Sequence, residues 1–237
     1  MDGTNPGLSE RAGVALDLVE AGESRVRPPF DSAFVDGEDS RSVTRSLPHD
    51  ARPLKRREQS TEPAPDDVLL ARCQKARKIV IRKAARRLEL YCGDALAARY
   101  ETSLGFAPEG HKEREGDGRT PEGEYYVTMK RRSRFHRSLQ LNYPNIADAD
   151  RGYAEGHIDQ RQHRAIVRAN LACGNPPQDT PLGSYIQIHG GGGGPEVGDW
   201  TLGCVALEDA EIERVYEFHE SGCDENGEPN TPVIIRP

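Results

Sequence analysis

Apolar and polar positions follow two different regimes along this 237-residue chain. Through residue 67 the apolar residues are sparse and aperiodic. The one helical hint, Val14-Ala15-Leu16-Asp17-Leu18-Val19, is too short to build a core. From about Asp67 the spacing becomes regular. Lys78–Ile81 and Arg87–Tyr91 predict two strands joined by a short turn at Lys83–Arg86. A third apolar run covers Ala97 to Gly105. The turn-rich stretch Gly116-Asp117-Gly118-Arg119-Thr120-Pro121-Glu122-Gly123 then leads into Glu124–Met129, a strand rich in aromatic and β-branched residues. Ile158, Gln162, Ala165, Ile166 and Ala169 recur at helical spacing and predict a helix between His157 and Ala172. Ser184–His189 alternates and reads as a strand. Glu208 to Glu220 places Ile212, Val215, Tyr216 and His219 on one helical face, and Pro232–Arg236 closes the chain as a short strand. Several short strands with two helices predict an α+β, mainly β domain spanning residues 68–237.

Composition sharpens the boundary. Residues 1–67 carry seven of the 17 prolines, neither Tyr nor Trp, and 14 acidic against nine basic residues. Such a segment cannot bury enough apolar surface to offset chain entropy, so it is expected to be disordered or a linker. The whole chain has a formal net charge of −7, without the clustered cationic footprint that phosphate neutralisation needs, which excludes nucleic acid as a partner class. The basic stretch Lys75–Arg87 interleaves its charges with Ile79, Val80 and Ile81, as solvated strand faces do. No apolar run approaches the ~18 residues of a transmembrane segment. Met1 to Phe30 lacks the basic and apolar regions of a secretory signal. Five cysteines, at 73, 92, 173, 204 and 223, form no Cys-x-x-Cys pair, so a zinc or thioredoxin-type site has no support. The odd count leaves at least one thiol unpaired in a monomer. Cys92, Cys173 and Cys223 suit small buried positions or a bridge.

The chemistry concentrates in Ile188-His189-Gly190-Gly191-Gly192-Gly193-Gly194-Pro195-Glu196-Val197-Gly198-Asp199-Trp200-Thr201-Leu202-Gly203-Cys204-Val205-Ala206-Leu207. A thiol is a good nucleophile only after losing its proton, and an imidazole fixed at a strand end can take it. A cysteine just ahead of a helix would also gain from the positive end of the helix dipole. Glycine before the cysteine lets backbone N–H groups approach a developing oxyanion. The plainer alternative has His189 ending a strand and Cys204 filling core. The glycine run alone could be an inert linker, and no Gly-Lys-Ser/Thr follows it to make a phosphate-binding loop.

The string resembles the YkuD-type L,D-transpeptidase signature, His-Gly followed after a spacer by Ser/Thr-x-Gly-Cys. Here 14 residues separate His189 from Cys204, and Thr201 fills the Ser/Thr place. Gly-Asp-Gly-Arg-Thr-Pro-Glu-Gly at 116–123 and the Thr180–His189 stretch resemble upstream motifs of the same family, so the likeness runs over most of residues 75–237. It implies a β-rich catalytic domain acting on peptidoglycan stem peptides. Cys204 would be the nucleophile and His189 the base, with Gly203 and Cys204 N–H groups as oxyanion donors. Gly190, Thr201, Trp200 and Arg119 are the candidate substrate-binding residues. An amine acceptor would give a cross-link and water a carboxypeptidase. No metal or organic cofactor is implied, and an activated thiolate is expected to open carbapenems.

Two positions depart from the family pattern: Leu202 stands where many members have His, and Ala206 where they have an arginine expected to hold a substrate carboxylate. The Gly-Cys-x-Ala-Leu ending is closer to a YafK-like branch that includes a hydrolase, which keeps amidase or L,D-carboxypeptidase chemistry open. A non-catalytic cell-wall-binding module has no use for both His189 and Cys204. Papain-like and NlpC-type peptidases run Cys before His, opposite to the order here. The implied substrate points to the periplasm or cell envelope, and a monomer is expected.

Overall fold

The computed structural model describes residues 67–237. Apart from Asp67, the expectation for residues 1–67 lies outside the described residues. Helix α1 (Asp67–Arg72) is followed by a meander of β1 (Arg77–Arg82), β2 (Arg87–Cys92) and β3 (Ala95–Glu101). Then come β4 (Gly123–Tyr125), β5 (Val127–Ser133), β6 (His136–Leu141), α2 (Ile146–Ala154), α3 (Gln160–Leu171), β7 (Gln187–His189), β8 (Val205–Ala206), α4 (Asp209–Phe218) and β9 (Val233–Arg236). Among the described residues nine strands form two sheets, in the orders β3-β2-β1-β9-β4 and β5-β6-β7-β8, which makes the domain α+β and mainly β.

The Ile79-Val80-Ile81 run is buried throughout because β1 is central, antiparallel to β2 and parallel to β9. Ile79, Ile81, Leu88 and Leu90 of the first sheet share one core with Leu139, Leu141 and Ile188 of the second and with Ile212, Val215 and Phe218 of α4. A satellite cluster of Ala149, Ile158, Ile166 and Leu182 seats α2 and α3. Lys83, at the β1–β2 turn, is buried with its ammonium on the carbonyls of Gly110 and Thr120 and the carboxylate of Glu122, 2.8 Å away. That buried cation ties the turn-rich loop 105–122 to the first sheet.

Three sequence expectations change. The single strand at Glu124–Met129 divides at Tyr126, whose N–H donates to the Asn142 side chain (2.7 Å) instead of to a ladder. Residues before it join the first sheet and residues after it the second. The strand expected from Ser184 begins only at Gln187, because Tyr185 sits at φ +51° with its N–H on Gln178 Oε1, 2.7 Å. Helix α2 escaped the periodicity, since its buried residues are Asp148, Ala149 and Gly152 rather than an apolar stripe. Its start is marked by the Asn145–Asp148 capping box.

The cysteines resolve cleanly. Cys73 bridges to Cys92, closing α1 onto the end of β2. Cys173 bridges to Cys223, closing the segment after α3 onto the loop before β9. Cys204 is the free cysteine among the described residues.

Candidate active site

His189 ends β7 at the centre of the second sheet, and its register explains its burial. Ser138 of β6 lies opposite on one side and Ala206 of β8 on the other. The imidazole is 2 % exposed. Its Nδ1 lies 2.6 Å from the carbonyl oxygen of Gly190, so Nδ1–H donates there and Nε2 is left as the unprotonated nitrogen. Phe135, in the β5–β6 turn, stacks on the ring at 4.6 Å between centroids, and Trp200 meets it edge-on at 5.7 Å. Burial pulls its pKa below the usual histidine value, against the opposing hydrogen bond to Gly190 and with some help from the Arg134 charge. The ring is therefore a neutral base at neutral pH.

Cys204 precedes β8, and its thiol donates to the Tyr185 carbonyl at 3.5 Å. The expected helix boost is absent: β8 intervenes, and α4 starts only at Asp209, beyond the reach of its dipole. Burial instead pushes the thiol up to about 11, with the Gln187 backbone N–H and the Lys112 charge pulling the other way. The resting pair is thus a neutral thiol and a neutral imidazole. Both line one cleft of about 710 Å³, together with Lys112, Arg131, Arg134, Phe135, Tyr185 and Trp200 among others.

The glycine run between the two residues is a pinned loop, not a linker. Gly191 N–H donates to Asp209 Oδ1 (2.8 Å), Gly192 N–H to the Leu207 carbonyl (3.1 Å), and Trp200 Nε1 to the Gly192 carbonyl (3.2 Å). Asp199 accepts from the Leu104 N–H at 2.8 Å and pairs with Arg86 at 2.8 Å, fastening the loop to the first sheet. A Cβ at Gly193 would stand 2.3 Å from the Ala206 carbonyl oxygen, so only glycine lets the loop lie against β8.

The other candidates separate. Thr201 is buried; its hydroxyl donates to the Cys204 carbonyl (2.8 Å) and accepts from the Gly203 N–H (3.1 Å). This side chain shapes the backbone around the nucleophile. It also commits the Gly203 N–H, correcting the expectation that this group awaits an oxyanion; the Cys204 amide is the other member of that pair. Gly203 itself sits at φ +128°, where a Cβ would meet the Arg119 carbonyl at 2.6 Å. Gly190 serves through its carbonyl, beneath His189. Trp200 is 36 % exposed and forms cleft wall. The Arg119 side chain is elsewhere, on the His111 carbonyl (3.3 Å) and Glu113 (3.4 Å), because Asp117 turns the loop and takes the Arg119 N–H. It does not reach the cleft. His219 is buried at the end of α4, and His111 caps the Glu122 N–H, so neither faces the site.

Sequence reasoning missed several cleft residues. Tyr185, expected within a strand, is 54 % exposed at the rim. Phe135, Arg131 and Lys112 carried no motif. The alternation of His136–Leu141 would have placed a strand there, and with it a hairpin carrying Arg131 and Phe135 beside His189.

YafK of Escherichia coli K12, itself named only as a candidate L,D-transpeptidase, is 26% identical over 131 residues, covering 54% of this chain and 39% of its own length. The chain thus spans well under half of that relative. Among solved structures, the K307A mutant of the helical cell shape determining protein Pgp2 from Campylobacter jejuni aligns at 19% identity and TM-score 0.43, over 68% of this chain and 47% of that one. Bd1075 of Bdellovibrio bacteriovorus aligns at 19% identity and TM-score 0.43, over 68% and 48%. The profile of the YkuD L,D-transpeptidase catalytic domain matches residues 76–235, and the chain belongs to that family.

Proposed function

We propose that this domain carries out cysteine-dependent acyl transfer on peptidoglycan stem peptides, with Cys204 as nucleophile and His189 as general base. The observation that carries the reading is one cleft lined both by the free cysteine of the described residues and by a histidine of fixed tautomer, its unprotonated nitrogen on the side away from Gly190. Two disulfides fit an oxidising compartment, as expected for an enzyme of the periplasm or cell envelope.

The steps follow from the resting charges. Because the thiol is protonated and the imidazole neutral, proton transfer to His189 Nε2 accompanies attack of sulfur on the carbonyl between the L-centre of the diamino acid and the following D-residue. A C–S bond forms, and charge gathers on the carbonyl oxygen beside the Cys204 N–H. The imidazolium then returns its proton to the departing amino group as the C–N bond breaks, leaving a thioester and a free D-amino acid. His189 next takes a proton from an incoming amine or water, which displaces the thiolate. An amine yields a cross-linked peptide and water a shortened one. Thr201, the glycine loop and Trp200 hold the geometry in place.

The test is incubation of the full chain with a stem tetrapeptide, with and without a second stem peptide as acceptor, read by mass spectrometry. A Cys204-dependent loss of the terminal D-residue, with or without a new cross-link, is expected, and the product ratio identifies the acceptor. Unchanged peptide in both mixtures, from a protein whose Cys204 still takes up a thiol reagent, would remove the peptide from the proposal.

A further inference from the structure

The sheet face that carries His189 also carries an arginine the reaction above does not use. Arg131 of β5 lies directly opposite Ser138 of β6, and Ser138 directly opposite His189 of β7. Directly paired residues project to the same side of a sheet, so the three form one row. Two strand spacings put the Arg131 backbone about 10 Å from that of His189. The Arg131 side chain lines the same cleft and is steadied by one hydrogen bond from Nη2 to Gln140 Oε1, 2.7 Å.

No carboxylate among the described residues neutralises this guanidinium. Among the described residues it has no ion pair, its Nε is buried without a hydrogen-bond partner, and the neighbouring Ser138 hydroxyl is buried and unpartnered as well. Buried donors are ordinarily satisfied, and this half-buried guanidinium keeps one that is not. The rest of the cleft adds to the imbalance. Among the described residues Arg132 and Arg134 line it without a carboxylate partner, Lys112 is held by Asp117 at 2.7 Å, and Glu115 is the acidic residue on the wall. A cationic cleft in a chain of net charge −7 is a segregated charge that steers anions.

We infer that Arg131 is the anchor of a carboxylate-binding subsite, which receives a free carboxylate of the acyl donor on the β5 side of His189, across β6. Arg132 and Arg134, exposed at the hairpin tip, draw the same anion toward it. The subsite makes the substrate a peptide that carries an anionic group besides the cleaved bond, and it makes Arg131 a specificity residue rather than a catalytic one. The inference rests on the reading of Cys204 as the nucleophile of a peptide acyl transfer.

The experiment measures equilibrium binding by calorimetry on the full chain bearing Cys204→Ala, so that turnover is not needed. One probe is a stem tetrapeptide with free carboxylates, the other the same peptide with them amidated. The free acid is expected to bind at least ~10-fold more tightly, and Arg131→Gln to remove that preference while leaving the amidated peptide unaffected. Arg131→Lys, which keeps the charge and loses the fork, is expected to fall between, and covers the case in which the glutamine variant fails to fold. Equal binding of the free acid with and without Arg131 would overturn the subsite while leaving the acyl-transfer reading intact. Failure of both peptides to bind any variant, while Cys204 of the parent chain still reacts with iodoacetamide, would overturn the peptide reading and the subsite with it.

Discussion

The resting state of the thiol is the most consequential claim about the site, and its reactivity toward a small neutral electrophile tests it. Cys204 has lost the helix terminus expected of it, and burial places its pKa at about 11, against an ordinary value of 9.0. At pH 7 an ordinary thiol is about 1 % thiolate, whereas a thiol at about 11 is roughly 0.01 % thiolate, two decades less. His189 is mostly neutral at pH 7, because burial lowers its pKa from the ordinary histidine value, so little imidazolium is present to stabilise a thiolate. Alkylation of Cys204 by iodoacetamide, followed by intact mass from pH 5 to pH 11, is therefore expected to be roughly 100-fold slower at pH 7 than that of a free thiol. Its rate should climb tenfold per pH unit without a plateau until the pH passes about 10. The two disulfides leave Cys204 as the reporting thiol of the described domain. A plateau reached below pH 7 would mean a preformed thiolate–imidazolium pair, and would refute the argument that His189 takes the proton during the attack.

Three further outcomes follow from individual contacts. Thr201→Val removes the hydroxyl that serves both the Gly203 N–H and the Cys204 carbonyl; it is expected to cost about 2–4 kcal/mol in chemical denaturation and to lower kcat more than it raises KM. Gly203→Ala forces a Cβ to 2.6 Å from the Arg119 carbonyl at φ +128°, so loss of activity with a lowered Tm is expected, and a variant of wild-type Tm and rate would refute the packing described around the nucleophile. Reduction of the bridges, which span 19 and 50 residues of sequence, is expected to lower stability by about 3 and about 4 kcal/mol in the chain-entropy picture, with Cys204 chemistry retained below the new Tm.

Much of the site's chemistry was legible because it is local in the chain. His189, the glycine loop and Gly203-Cys204 lie within 16 consecutive residues, and their order separates them from papain-like and NlpC-type peptidases. What could not be read was anything set by long-range packing. Arg119 sits in a motif-like turn, yet Asp117 bends that turn so that the guanidinium leaves the cleft. The Cys204 environment depends on β8 pairing with β7, a two-residue strand with no periodicity to detect. Tyr185 looked like a strand residue because its neighbours alternate, but its N–H is taken by Gln178 from outside the sheet. Arg131 reaches the site only through the register of a hairpin, and register is a property of three strands together.

We propose that Cys204 becomes a nucleophile through His189 in this cleft. It is tested most directly by intact-mass analysis of the full chain with a carbapenem, alongside Cys204→Ala and His189→Ala. The expected result is one adduct on the parent chain, none on Cys204→Ala, and acylation slowed by about 100-fold or more on His189→Ala at neutral pH. An adduct that persists on Cys204→Ala, or that forms on His189→Ala at the parent rate, would contradict it.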